Sequence, residues 1–216
     1  NFLQGFAGYI QVDGFAGYHA LESDNCHLVG CMAHARRKFD EALKALPKAS
    51  RENKFGLAHT ALRRFRAIYA IEKQATDLSI GQRYCLRQEK SKPLMDDLKQ
   101  WCDDNVAKTT KDSALGKAIR YTVNQWDTLV RYLEDGNLQI DNNAAERRIK
   151  PFVIGRKNWL FNQTPRGADA SALLYSLVQT AVANNLEPFD YLRHLLTELP
   201  KLGRHYEPEA LDQFLP

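Results

Sequence analysis

Alternating apolar and polar residues predict two short strands near the start of the chain. Residues 9–12 are β-prone and apolar at every second position, and Asp13-Gly14 follows them as a turn. Residues 27–32 form the second predicted strand. Because two strands alone do not make a stable sheet, we expect the strands that complete it to lie upstream of Asn1 or on another chain.

From about His34 the apolar period becomes helical, with apolar residues three and four positions apart. The clearest helix has Ser113 as its N-cap and Gly136 as its stop, and its apolar stripe predicts that Trp126 and Leu129 are buried. The signal between Thr76 and Gln88 is weak. Helices are predicted at residues 34–46, 55–69, 93–101, 113–136, 168–184 and 189–199. Phe55 and Tyr69 lie on the apolar stripe of the second helix, Pro93 would be in the first turn of the third, and Leu173 and Leu174 would be buried in helix 168–184.

Composition indicates a folded protein that is not built into a membrane. Apolar residues make up 44% of the chain and charged residues 26%, which is enough for a packed core. No apolar run approaches the roughly 20 residues that span a bilayer. The four cysteines lack a disulfide-framework spacing. We therefore expect reduced thiols and a cytoplasmic protein, and the start without Met suggests a fragment.

Basic residues occur in short, separate clusters. The net charge is modest, 30 − 26 = +4, so the clustering of basic residues is a better indicator of phosphate binding than the net charge. If folding brings them to one face they would bind phosphates; the alternative is that each is a solvated helix face. The clusters are Arg36-Arg37-Lys38, Arg63-Arg64-x-Arg66, Arg147-Arg148-x-Lys150 and Arg156-Lys157.

Two carboxylates occupy positions that suit metal binding. Asp13 directly follows a predicted strand, where a carboxylate is held rigidly and can bind a hard cation such as Mg²⁺; the alternative is a turn Asp before Gly. Glu146 follows Asp141-Asn142-Asn143, and its alternative is a capping box with Asn143. A helix cap needs one of these polar residues, so Asn142 and Asn143 could have a supporting role.

Cys31 and His34 have a spacing that could hold zinc. Strand geometry at Cys31 would separate the ligands, and no second ligand pair follows at a finger-like distance, so we do not favour a zinc site. The sequence has no Ser-His-Asp arrangement, phosphate-binding glycine loop or dinucleotide fingerprint.

Four stretches together resemble the transposases of the insertion-sequence 66 family, over essentially the whole chain. They are GYIQVDGFAGY at residues 8–18, CMAHARRKF at 31–39, DNNAAER at 141–147, and GRKNWLF at 155–161 followed by RGA at 166–168.

The resemblance implies an α/β, predominantly helical chain: the C-terminal part of an RNase H-like fold with a large helical insertion and its first strands absent. Residues 1–34 would be part of the core, 35–138 the insertion, and 139–216 the C-terminal core helices. Asp13 matches the second Asp of the family's Asp-Asp-Glu triad and Glu146 its Glu, while the first Asp lies upstream. Cys31 and His34 match a pair that is structural or near the active site.

Metal-dependent strand cleavage and transfer would use these residues in defined ways. Two ions, Mg²⁺ or Mn²⁺, activate the attacking oxygen and stabilise the leaving one, and Asp13 and Glu146 would be two of the ligands. Trp159 could stack on an unpaired base, or it could be a core aromatic. The residues expected to bind DNA are Arg147, Arg148, Lys150, Arg156, Lys157, Trp159 and Arg166.

Three functions are compatible with the sequence. The first is a DNA transposase that joins element ends to target DNA as a homo-oligomer, with accessory proteins of the same element and no membrane partner. The second is a catalytically inactive DNA-binding or assembly fragment of a truncated element, since the first Asp is missing. The third is an RNase H-like nuclease outside transposition. We expect this chain alone to be inactive.

Overall fold

The computed structural model describes residue 3, residues 5–159, residues 162–203 and residues 206–215, with backbone only for residue 159. The described chain is predominantly helical. It divides into two compact units, Asn1–Ala144 and Ala145–Pro216. The three-part division inferred from the sequence stays a prediction.

The first unit opens with two parallel strands, β1 (Gly8–Gln11) and β2 (Cys26–Val29), paired from Gly8 with Cys26 to Gln11 with Val29. A 3-10 helix, Ala16–Leu21, lies in their connection. Both predicted strands are confirmed, although the second is shorter than expected because Met32 already begins a helix.

Seven α-helices of the first unit follow the strands in the described residues. They are α1 (Met32–Lys44), α2 (Lys48–Glu52), α3 (Leu57–Gln74), α4 (Ile80–Leu86), α5 (Lys92–Val106), α6 (Ala114–Asn124) and α7 (Trp126–Val130). A 3-10 turn, Arg131–Leu133, comes after α7. The predicted helical region between residues 34 and 136 is confirmed.

The segment with the weak signal is helical from Ile80 onward. Ser79 and Gln82 form a reciprocal capping box that begins α4, and a π-helix, Arg87–Ser91, joins α4 to α5. The expectation that Pro93 lies in the first turn of a helix is confirmed, because α5 begins at Lys92. Proline has no N–H and its ring crowds the carbonyl four residues back; the helix widens here, with Lys92 N–H donating to Arg87 O five residues earlier.

The long helix predicted from Ser113 to Gly136 is two helices. Ser113 is the N-cap, as predicted, and its hydroxyl accepts from Gly116 N–H at 3.0 Å. Gln125 leaves the helical region at φ −97° and ψ 8°, which ends α6 and restarts the chain as α7. Leu129 is buried, as predicted, but Trp126 is only half-buried.

The helices of the first unit share one core, in which Phe39 packs against Phe65 and Trp101 with ring centres 5.5 and 6.0 Å apart. Phe55, expected on the stripe of the second helix, lies before α3 and is 89% exposed, because that helix starts only at Leu57. The buried Arg87 guanidinium pairs with the half-buried Glu72 carboxylate at an Nη2–Oε2 distance of 2.7 Å.

The second unit consists of helices. The helix α8 (Asn143–Trp159) leads into it, and α9 (Pro165–Ala183) and α10 (Pro188–Glu198) follow, with 3-10 turns at Leu199–Leu202 and Pro208–Phe214. Its small core contains Ala181, Tyr191 and Leu195. Both predicted C-terminal helices are confirmed, but Leu173 and Leu174, expected to be buried, are 62% and 55% exposed. The contacts with α10 involve the C-terminal part of α9, near Ala181.

Candidate functional site

Asp13 is held at the carboxyl end of β1. Val12 is buried, and its N–H donates to Val29 O at 2.9 Å, so the ladder with β2 continues to the residue before Asp13. Asp13 is half-buried, and its Oδ1 accepts from Phe15 N–H at 3.0 Å. This bond is the turn role considered from the sequence. It uses one carboxylate oxygen, so a turn role and a ligand role can coexist.

Tyr121 of α6 lies beside Asp13. Gly14 lies against its hydroxyl and ring, and an added Cβ at Gly14 would overlap the Tyr121 ring, so a larger residue would displace the ring. The pKa of Tyr121 is raised, first by burial and then by the acidic groups of Cys31 and Asp13. The Lys38 ammonium lies 4.5 Å from the Tyr121 ring centre, which brings a positive charge to this region.

Cys31 joins the strand end to the segment before α8. It is buried just before α1, and its Sγ accepts from Asn142 N–H at 3.4 Å. Next to this contact, Met32 N–H donates to Ile140 O at 3.0 Å. Burial, and secondarily the charge of Asp141, raises the pKa of Cys31, although backbone N–H groups oppose the rise. Cys31 is therefore a protonated thiol at neutral pH.

Asp141 is fixed by two hydrogen bonds. Tyr69 of α3 donates its hydroxyl to Asp141 Oδ2 at 2.9 Å, and Asn143 N–H donates to Asp141 Oδ1 at 3.1 Å. The pKa of Tyr69 is raised by burial and by the adjacent Asp141 carboxylate. Asn143 is itself the first residue of α8, so the side chain that accepts a first-turn N–H here belongs to Asp141.

The first unit therefore gathers two carboxylates around a buried thiol and two tyrosines. Asp13 and Cys31 act electrostatically on Tyr121, and Asp141 and Cys31 act on Tyr69. Neither tyrosine is predicted as a site residue from the sequence. Tyr69 has the spacing of an apolar helical stripe, and no local pattern marks Tyr121, because both roles come from contacts distant in sequence.

The supporting residues predicted from the sequence lie close to this cluster. Asn142 Oδ1 is buried, and it accepts no hydrogen bond from the described residues. His34 is half-buried in the first turn of α1, where its backbone N–H donates to Cys31 O at 3.1 Å. A role for His34 and Asn142 near the site stays a prediction.

Glu146 lies in the first turn of α8, half-buried, and belongs to the second compact unit. Asp13 belongs to the first unit. The approach of their two carboxylates therefore stays a prediction.

The predicted DNA-binding residues after Glu146 are exposed on helices. Arg147, Lys150 and Lys157 follow one another at steps of three and seven residues, which places them on one face of α8. Arg148 lies on another face and donates to Gln179 O of α9 at 3.3 Å. The side chain of Trp159 lies outside the described residues. Arg156, on α8, and Arg166, at the start of α9, are both exposed.

The donor chemistry suits a hard divalent cation, but the ligand set of the first unit is incomplete. Carboxylate oxygens of Asp13 and Asp141, with the buried Asn142 Oδ1, are the oxygen ligands that Mg²⁺ takes. Among the described residues, no three His, Cys, Asp or Glu side chains form a group that could hold a metal ion. A metal site here needs further ligands, of which Glu146 is the predicted one.

No helix among the described residues is long and apolar enough to cross a membrane.

Comparison with known proteins identifies the family. The family model described as the IS66 transposase family matches residues 1–170, and the IS66 C-terminal element matches residues 176–216. Two uncharacterized proteins of Sinorhizobium fredii, y4hP and y4qI, are 33% identical over 208 residues and 32% identical over 218 residues. These alignments cover 91% and 97% of this chain but 38% and 39% of the relatives, so the chain spans about two fifths of their length. No solved structure matches. The chain belongs to the IS66 family of transposases.

Proposed function

We propose that this chain is part of a DNA transposase with an RNase H-like core, which cleaves and joins DNA strands. In the complete protein, Asp13, Glu146 and a third carboxylate outside this chain would hold Mg²⁺ or Mn²⁺. The observation that carries the proposal is the placement of Asp13. It stands at the carboxyl end of the parallel strand pair, directly after the buried Val12, in a chain that matches the family model over residues 1–170.

Rigid placement of the ligands is what the chemistry demands. Divalent ions, when bound, supply charge stabilisation to the attacking and leaving oxygens of the phosphodiester. The chain's own part is positioning: the ladder bond of Val12 fixes the strand that carries Asp13. Tyr69 and Cys31 fix the segment from which α8 starts, and Glu146 lies in the first turn of α8. Errors of about 1 Å at such groups can cost a hundredfold in rate.

The basic residues of α8 and α9 would hold DNA phosphates. Exposed guanidinium and ammonium groups bind the backbone without reading sequence, and they make the affinity dependent on salt. The face formed by Arg147, Lys150 and Lys157 is the part of α8 best arranged for this role.

The test compares the present chain with a protein extended upstream through the first Asp, on DNA carrying the element's ends, with Mg²⁺ or Mn²⁺. We expect cleavage only in the extended protein, and a loss of about a hundredfold or more in its Asp13→Asn and Glu146→Gln variants. Asp112→Asn, an exposed acid outside the site, is the matched control and should keep full activity. Cleavage that survives both site substitutions would contradict the proposal.

A second candidate is a fragment that binds DNA or full-length partners without cutting. One observation favours it: among the residues that the structure describes, no three His, Cys, Asp or Glu side chains form a group that could hold a metal ion. Salt-dependent DNA binding by the short chain without cleavage, combined with an inactive extended protein, would support this candidate.

A further inference from the structure

A groove of about 770 Å³ runs between α1 and α3 in the first unit. Leu43 and Leu62 are its apolar lining residues, and most of the others are basic. The polar and charged side chains that line it are Arg36, Asp40, Lys54, His59, Arg63, Arg66 and Tyr69.

The positive charge of this groove is not neutralised within the described residues. Arg36, Lys54, Arg63 and Arg66 are exposed, and none of the four makes a salt bridge in that part of the chain. Asp40 has Lys44 at 2.6 Å, so its charge is already balanced.

The arginines of one basic cluster divide between two faces of α3. Arg63 is fixed in the groove by bonds from Nη1 to Lys54 O at 2.6 Å and from Nη2 to Thr60 Oγ1 at 3.0 Å. Its neighbour Arg64 instead pairs with Asp97 at 2.7 Å. A guanidinium has five N–H donors, so Arg63 keeps donors for a ligand while its position is set by the protein.

The groove ends at the candidate site. Tyr69 lines the groove, and its hydroxyl donates to Asp141. Arg36, on α1, is close enough to Tyr69 to lower its pKa against the larger effects of burial and Asp141. From His59 to Tyr69, α3 extends about 15 Å along its axis. A DNA strand rises about 3.4 Å per nucleotide along the helix axis, so this length accommodates several nucleotides.

We infer that this groove binds the phosphodiester backbone of DNA and leads it to the candidate site, an inference that rests on the proposed function. Arg36, Arg63 and Arg66 would contact successive phosphates. If the scissile phosphate lies at Asp13, the DNA strand on one side of it must continue across the protein surface. The groove that ends at Tyr69 offers such a path, because its positive charge is not neutralised within the described residues.

The test measures DNA affinity against salt concentration for the full chain, using a short fluorescent duplex and its single strand. The groove variant Arg36→Gln, Arg63→Gln, Arg66→Gln should lose about two to three units of the slope of log affinity against log salt, one for each phosphate contact. The control variant Lys90→Gln, Lys108→Gln, Lys117→Gln removes the same charge from exposed positions outside the groove and should change the slope by less than about one unit. Replacing the same three arginines with lysine should retain the slope, because the charge is retained, and circular dichroism checks that each variant is folded.

Three outcomes would overturn the inference. Equal slopes for the groove and control variants would do so, as would a loss of slope confined to a variant of Arg147, Lys150 and Lys157; both leave the proposed function standing. The third outcome comes from a competition experiment in which polyglutamate is bound to the chain and DNA is added. If DNA does not displace polyglutamate, the groove binds an acidic peptide instead. Failure of the proposed function is seen separately, as cleavage by the extended protein that does not depend on Asp13.

Discussion

The hydrogen bond from Tyr69 to Asp141 connects the helical region to the candidate site, and Tyr69→Phe isolates it. The substitution removes one hydroxyl and keeps the ring, so packing in α3 is preserved. The lost bond is 2.9 Å long, half-buried, and ends on a carboxylate. Hydrogen bonds to charged groups contribute about 1.5–3 kcal/mol, and we expect the free energy of unfolding to fall by that amount.

Urea unfolding of the chain measures this loss, and a double-mutant cycle with Asp141→Ala assigns it to the pair. The cycle should give a coupling energy of about 1 kcal/mol or more. Tyr84→Phe is the matched control, because Tyr84 is 43% exposed and its substitution should change stability by less than about 0.5 kcal/mol. A coupling energy near zero would refute the view that Tyr69 holds Asp141.

Alkaline pH gives an independent check on the same pair. The folded protein raises the pKa of Tyr69 above its usual value near 10. Above about pH 10 the unfolded chain loses this proton while the folded chain keeps it, so stability is present below that pH and falls as the pH rises. Phe cannot ionise, and the stability difference between the wild type and Tyr69→Phe should therefore narrow above about pH 10. A difference that stays constant to pH 11 would contradict the raised pKa.

Three further substitutions or reactions test the fold. Arg87→Met leaves the Glu72 carboxylate, whose side chain is 13% exposed, without its charge partner and should destabilise the chain by about 3 kcal/mol in urea unfolding. A loss below about 1 kcal/mol would show that the ion pair is open to solvent. Gly136→Ala places a methyl group against the carbonyl of Ile80, so we expect a clear fall in melting temperature, and an unchanged melting temperature would contradict that contact. Cys85 is exposed whereas the three other cysteines are buried, so a thiol reagent should label one cysteine rapidly in the folded chain and all four in urea, and rapid labelling of a second thiol would argue against the described packing.

Local signals in the sequence identified most elements of the fold, because those elements depend on nearby residues. Ser113 begins α6 through a hydrogen bond three residues away, and the strand before Asp13 is visible as a two-residue alternation. Two features of the helical region were not predicted, because neither changes the apolar period of the sequence. In the π-helix before α5, Lys92 N–H donates to Arg87 O five residues earlier. The break at Gln125 ends α6 without interrupting the apolar stripe.

The candidate site was only partly predictable, for a related reason. Asp13 directly follows its strand in the sequence, so the strand pattern alone predicts its position. Tyr69 reaches Asp141 across 72 residues, and its spacing on α3 is that of an ordinary core residue. Residues whose role depends on a distant partner carry no local mark, and the tyrosines of this site are of that kind.

The helical region starts and ends at neighbouring positions, because the segment before α1 is bonded to the segment before α8. The candidate site therefore depends on the folding of this region. Cys31 and Asn142 are joined by a hydrogen bond although they lie 111 residues apart in sequence. Closing a loop of that length costs about 4 kcal/mol in chain entropy if the loop is flexible, which a well-packed core within the loop can offset. The loop here has its own core, centred on Phe39 and Phe65, and from it α3 extends Tyr69 to Asp141. Loss of structure in this region would therefore release Asp141 and the start of α8 together, so the helices that carry the basic groove also hold one wall of the site.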